Sequence, residues 1–305
     1  MLGAILGLGF AIFFGLNSIV VRRGVLKVSV NYIATLTIYT GPVFFFFLAL
    51  ITGDLFKIPG FNWKAILFFA LSGIIHFALG RTFGYRAVQI LGATRAGIMT
   101  GLNAVVSIVL AIIILGESLT PLMVVGIMLS LSGPIIIALK EGQKAGKAEA
   151  RVNPNLKSID RKTFYKGLFF GVCSAFLWGS SAIFVKLGLN EGGSSLAGSF
   201  IAFSAAALVI STALFSKANR QEMVKSDGQA FKLAMMSGLT TNIAQMLRYV
   251  ALSYGSVIIV SLTSRTIPIW TLTLSFIFNR KIESFSRWVL LGNGLLIIGT
   301  VLVLL

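Results

Sequence analysis

The sequence predicts an all-α integral membrane protein of ten transmembrane helices, arranged as two five-helix halves of inverted topology. About ten stretches of some twenty mostly apolar residues fill the 305-residue chain almost end to end. A bilayer core of ~30 Å takes roughly 20 apolar helical residues per crossing, and each crossing has to satisfy its own backbone, which favours helices. Charged residues are 11% of the chain beside 56% hydrophobic ones, with a mean hydropathy of +0.93, and they gather in the joints; soluble domains carry about 25%. A spacing of glycines in the first half also returns in the second.

Taken in order, the crossings fall at about 2–21, 29–52, 65–88, 93–115, 119–139, 166–186, 194–216, 230–253, 256–278 and 286–305. Residues 1–21 carry no charged side chain, and Arg22-Arg23 follow the apolar run instead of preceding it. That is the reverse of a cleavable signal peptide, so the first segment is expected to stay as a helix. Cys173, the single cysteine, lies in the sixth run; with no second thiol it forms no internal disulfide, and a packing role is expected.

The formal net charge of +17 is placed as an orientation signal, not as a nucleic-acid surface. Alternate joints hold Arg22, Arg23, Lys27, Arg86, Arg95, the cluster from Lys140 to Lys166, Lys217, Arg220, Lys225, Lys232, Arg280, Lys281 and Arg287, against Lys57, Lys64 and Lys186 on the other side. The basic side is cytoplasmic by the positive-inside rule, which puts both termini outside.

Gly7, Ala11, Gly15 and Gly24 recur as Gly171, Ala175, Gly179 and Gly188, each 164 positions later, and Glu117, Gly126 and Gly133 recur as Glu283, Gly292 and Gly299, each 166 later. Two blocks in the same order indicate duplication. The halves, 1–140 and 164–305, are joined by a basic polar linker, 141–163, that contains the turn-prone Asn153-Pro154-Asn155. An odd number of crossings per half makes the second half enter from the opposite face, the inverted repeat on which transporters build a midplane site with alternating access.

The residues Phe14-Gly15-Leu16-Asn17 and Trp178-Gly179-Ser180-Ser181, late in the first crossing of each half, and Leu115-Gly116-Glu117-Ser118-Leu119-Thr120 at a helix joint carry a family resemblance. With Pro268 in the ninth crossing, the chain resembles the drug/metabolite transporter superfamily, specifically its EamA-type members, over essentially its whole length. Leu102-Asn103 stand in the first half where the family's proline would fall, and Glu283 aligns with Glu117 after an insertion of three residues. The resemblance implies a transporter with both termini in the cytoplasm, so on orientation it opposes the charge count. The expected location is the cytoplasmic (plasma) membrane of a prokaryote.

Ionisable groups inside a crossing are costly and point to function, and here they are cations. Arg265 falls near the middle of the ninth crossing, Arg81 a turn past the middle of the third, and Arg248 two turns past the middle of the eighth, while all nine acids sit in joints or at helix ends. Ser261, Ser264 and Arg265 share a face with Pro268. The missing amide of Pro268 is expected to break the helix and leave the Ser264 carbonyl without its usual donor. Thr241, Asn242, Gln245, Arg248 and Tyr249 form a stripe of about 120° on one helix. Such a stripe faces protein or water; Arg248 alternatively snorkels to the interface. Arg81 and Tyr85 share a face, His76 stands at the centre of the third crossing as a packing group or a proton carrier, and Asn103 in the fourth bridges helices or meets a ligand. Glu117 reads as a joint or cap group.

These residues predict a secondary active carrier for a small metabolite with a carboxylate or phosphate, an amino acid or organic anion. The substrate-binding candidates are Arg265, Arg81, Arg248, Ser264, Asn103, Asn242, Gln245, Tyr85 and His76. Its partners are the substrate, the lipid bilayer and a coupling proton or exchanged solute, with no cofactor, metal or nucleic acid. A proton-coupled exporter of cations is the alternative, and it needs a membrane-embedded carboxylate. An intramembrane enzyme is more remote, since one His, one Cys and no deep acid make neither a nucleophile–base pair nor a metal cluster, and no Walker loop is encoded. An epitope on Leu305 tests the orientation in intact spheroplasts: exposure is the outcome expected from the charge count, and protection is the one the resemblance implies.

Overall fold

The computed structural model describes residues 1–24, 30–91, 102–129, 131–133, 135–136, 161–213, 228–278 and 287–304, and among them all regular structure is helical. The helices are α1 (Leu2–Gly24), α2 (Val30–Ile51), α3 (Trp63–Gly73), α4 (Arg81–Leu91), α5 (Asn103–Leu115), α6 (Arg161–Asn190), α7 (Ser195–Ala213), α8 (Gly228–Tyr254), α9 (Val257–Thr263), α10 (Ile267–Phe278) and α11 (Arg287–Leu304). Four spans, Leu2–Val21, Trp63–Gly84, Lys162–Asn190 and Ser195–Thr212, are long and apolar enough to cross a membrane. Thr35–Ile51 with the 3-10 turn Asp54–Gly60, bent by 92°, makes a fifth if the pair is one span. α8 has 27 residues, about 40 Å at 1.5 Å per residue. It is long enough to cross, but its polar content sets it apart from the others.

Two irregularities shape the long helices. Between α3 and α4 the chain widens into a π-turn at Ile74–Gly80, and between α9 and α10 it tightens into a 3-10 turn at Ser264–Thr266. Pro268 is the second residue of α10, where an absent amide costs little because the first-turn amides have no helical acceptor. The Ser264 carbonyl is not left open, contrary to the sequence expectation: the Ile267 amide takes it across the tightened turn.

The contacts divide the chain into two compact units, Met1–Ala78 with Ser181–Glu283 and Leu79–Ser180 with Ser284–Leu305. In the first unit, α1 packs on α8, α9 and α10 through a stripe of small residues at every fourth position, Gly3, Gly7, Ala11 and Gly15. A methyl group at Gly15 would meet the Thr271 amide and Trp270 Cβ at 3.0 Å. Small residues let helix axes approach where lipid supplies no hydrophobic drive between helices. An aromatic core of Phe45, Phe77 and Phe203 joins α2, the π-turn and α7, with ring centroids 5.1 Å apart for Phe45–Phe203 and 4.1 Å for Phe77–Phe203.

Within the second unit, Phe83 of α4 packs edge-on to Phe170 of α6 at 5.4 Å, and the Arg86 guanidinium lies 5.5 Å from the same ring. Ser174 Oγ donates to the Gly80 carbonyl, at the end of the π-turn, at 2.8 Å.

The backbones of α3 and α7 approach closely, and a Cβ on Gly73 would collide with the Ala202 carbonyl. A backbone oxygen cannot swing aside, so Gly73→Ala is expected to destabilise the detergent-solubilised protein by about 1–3 kcal/mol through overpacking. Gly60→Ala, with nothing within 4 Å of the added methyl, is expected to leave the unfolding midpoint unchanged in the same measurement.

Candidate functional site: a buried polar helix with an arginine

Every member of the polar stripe on α8, Thr241, Asn242, Gln245, Arg248 and Tyr249, is buried within the first unit. The 3.6-residue period puts them on one side of the helix, and their side chains bond to α2 through Thr40, to α3 through Ser72 and to α6 through Ser181. Arg248 is only 8% exposed, so it does not snorkel to an interface.

The guanidinium of Arg248 donates through Nη2 to Ser181 Oγ at 3.0 Å and through Nη1 to Gln245 Oε1 at 3.4 Å. Ser181 Oγ also meets His76 Nδ1 at 2.8 Å, so one hydroxyl of α6 joins an imidazole in the π-turn to a guanidinium on α8. Both hydrogen-bond partners of Arg248 among the described residues are neutral. The described acids of this unit, Asp54 and Glu191, lie at helix ends, paired with Lys57 at 2.7 Å and Asn62 at 2.9 Å.

The flanks of the stripe are fixed by hydroxyls with one hydrogen each. Ser72 Oγ donates to the Phe69 carbonyl at 2.7 Å, which leaves it to accept from the Tyr249 hydroxyl at 3.0 Å. Thr40 Oγ1 donates to the Thr37 carbonyl at 3.0 Å and so accepts from Asn242 Nδ2 at 3.1 Å. Asn242 Oδ1, on the other side of that amide, is buried without a hydrogen-bond partner. Farther along, Ser237 Oγ donates to Asn17 Oδ1 at 2.7 Å.

The sequence candidates therefore fall into groups. His76, Gln245 and Arg248 are connected through Ser181, and Asn242 stands on the same stripe. Ser264 and Arg265 occupy the 3-10 turn before Pro268, both half-buried, with Ser264 Oγ bonded to the Ser261 carbonyl. Arg81, Tyr85 and Asn103 belong to the second unit. There Arg81 opens α4 and Asn103 opens α5, both half-buried; the side chain of Tyr85 lies outside the described residues. Glu117 follows Gly116, whose φ of 68° ends α5, so it stands past a helix end instead of within a helix.

Thr40 and Ser72 were not anticipated as supports. A lone hydroxyl in an apolar helix usually bonds its own backbone, and its second role becomes visible only when the partner helix is in place. Lys186 is likewise more than a boundary cation: its Nζ donates to the Leu252 and Gly255 carbonyls, each at 2.9 Å, and so satisfies the C-terminal end of α8.

No curated protein matches the sequence. A crystal structure described only as that of a protein is similar over 99% of this chain and 96% of its own, with a TM-score of 0.76 at 15% identity, a likeness in fold. The sequence pattern of the EamA-like transporter family matches residues 1–139 and 165–305. The apolar helices and the polar stripe held inside them are those of an integral membrane protein that moves small molecules, and the chain belongs to the EamA-like transporter family.

Proposed function

We propose that this transporter is a secondary active carrier for a small organic anion, one with a carboxylate or phosphate such as an amino acid or organic acid. It works by alternating access in the cytoplasmic membrane of a prokaryotic cell. The observation that carries this reading is Arg248, a buried guanidinium whose hydrogen-bond partners among the described residues, Ser181 and Gln245, are both uncharged. Burying an ion without a counter-charge costs several kcal/mol. A carboxylate or phosphate on the remaining N–H groups of the fork supplies that counter-charge, and hydrogen bonds to charged groups contribute roughly 1.5–3 kcal/mol each.

Arg248 grips the anion, and Ser181, Gln245 and His76 fix the guanidinium so that little ordering is left to the moment of binding. Arg265 in the helix break supplies a second cation, with Ser264 beside it. Arg81, Tyr85 and Asn103 serve as further contacts at other points of the cycle. A coupling proton or an exchanged solute drives the movement. The position of Glu117 beyond a helix end favours an anion over the cation that a deep carboxylate would bind.

Counterflow in proteoliposomes tests this. Wild-type protein loaded with an unlabelled carboxylate is expected to take up the labelled compound, and Arg248→Lys is expected to lower the initial rate at least about tenfold, because an ammonium cannot copy a two-point fork. Arg265→Lys is expected to lower it less. Equal rates for wild type and Arg248→Lys would remove Arg248 and the anion reading together.

A further inference from the structure

The amide of Asn242 has a fixed direction. Thr40 Oγ1 spends its hydrogen on the Thr37 carbonyl, so toward Asn242 it can only accept, and it accepts from Nδ2. Turning the amide over would set Oδ1 against an oxygen with no hydrogen left to give. Oδ1 is therefore held away from Thr40, in a side chain 1% exposed, with no hydrogen-bond partner. Polar atoms buried in this way are few in folded proteins and each needs an explanation.

On the same stripe, Arg248 leans toward the N-terminus of α8, as helical side chains do, and its contact with Gln245 Oε1 puts the guanidinium level with Gln245. That level is roughly 4.5 Å of helix rise from Asn242. A vacant acceptor thus lies about one turn along the helix, and roughly 60° around it, from the level of a cation with no carboxylate partner among the described residues, with Gln245 between them.

We infer that Asn242 Oδ1 receives a hydroxyl or ammonium hydrogen of the carried anion, so that the site selects anions bearing a hydrogen-bond donor next to the acidic group over otherwise identical anions without one. This deepens the anion reading and rests on it. The chemistry is complementary at both ends: the fork of Arg248 donates to the acid, and the amide oxygen of Asn242 accepts from the neighbouring substituent. A plain acid would satisfy the first and leave the second buried and unpaired, which is how a polar site rejects an analogue that lacks a hydroxyl or amine.

The test is binding to the purified full-length protein of two matched sets of solutes, propionate, lactate and alanine, and succinate, malate and aspartate. In at least one set the hydroxy or amino acid is expected to bind about tenfold or more tightly than the plain acid. In Asn242→Leu that ratio is expected to fall toward one. If Asn242→Leu does not fold, Thr40→Val carries the test: it frees the amide to turn, and the same ratio is expected to fall.

Equal binding of all members of both sets, or an unchanged ratio in the variants, overturns the inference. Arg248→Lys separates it from its premise. Loss of all six solutes in that variant with no discrimination in wild type leaves the anion reading standing and removes the role of Asn242. Binding by Arg248→Lys equal to wild type, or no binding of any solute by wild type, removes both.

Discussion

A helix too polar for lipid has to be kept out of lipid, and the first unit is organised around that constraint. α8 carries a threonine, an asparagine, a glutamine, an arginine and a tyrosine on one side, and each is buried. The bilayer offers such groups nothing to bond, so neighbouring helices must supply both cover and partners. α1 packs along α8 as one wall, and the aromatic cluster of Phe45, Phe77 and Phe203 fixes a second. Hydroxyls from Thr40, Ser72 and Ser181 supply bonds at the flanks. Single interhelical bonds of this kind contribute about 0.6–2 kcal/mol in membranes. Their greater effect here is directional, because each fixes which atom of the stripe is left facing inward.

Much of this was legible in the chain. Hydropathy and length locate α2 closely, expected over 29–52 and found at Val30–Ile51, because insertion into a slab ~30 Å thick depends on little else. The α8 stripe follows from the 3.6 period alone. Departures from regular winding were harder to read. An apolar run is equally apolar with one residue more per turn, so nothing in Ile74–Gly80 announces a π-turn. Pro268 did mark an irregular point, but the fate of the Ser264 carbonyl turned on whether the neighbouring Ile267 amide could reach it in a tighter turn. Arg265 also drew more weight in the sequence than Arg248, because depth along a helix is readable there and burial by other helices is not. The link from Arg248 to Ser181 crosses 67 residues of chain, and no local pattern reports it.

Membership of the EamA-like family and the chemistry of the stripe bear on different questions. The family explains why a bundle of apolar helices has an interior worth keeping polar, since a passage for solutes must offer bonds that lipid does not. It leaves the sign and shape of the solute to the side chains. Among the described side chains of the first unit, Arg248, Arg265 and Lys186 are the lysines and arginines within helices that are not exposed. Lys186 is committed to the carbonyls at the end of α8, a structural role.

The wide turn at Ile74–Gly80 has a mechanical consequence. A π-turn holds a surplus residue that can pass along a helix like a wrinkle in a carpet, with both ends staying where they are. Each step of one residue swivels the side chains it passes by about 100°. His76 and Phe77 sit in that wrinkle, one on Ser181 and the other on Phe203. A single step would uncouple the imidazole from α6 and pull the phenyl ring out of its aromatic stack in the same movement, so that polar contact and packing would be exchanged together without unwinding the helix.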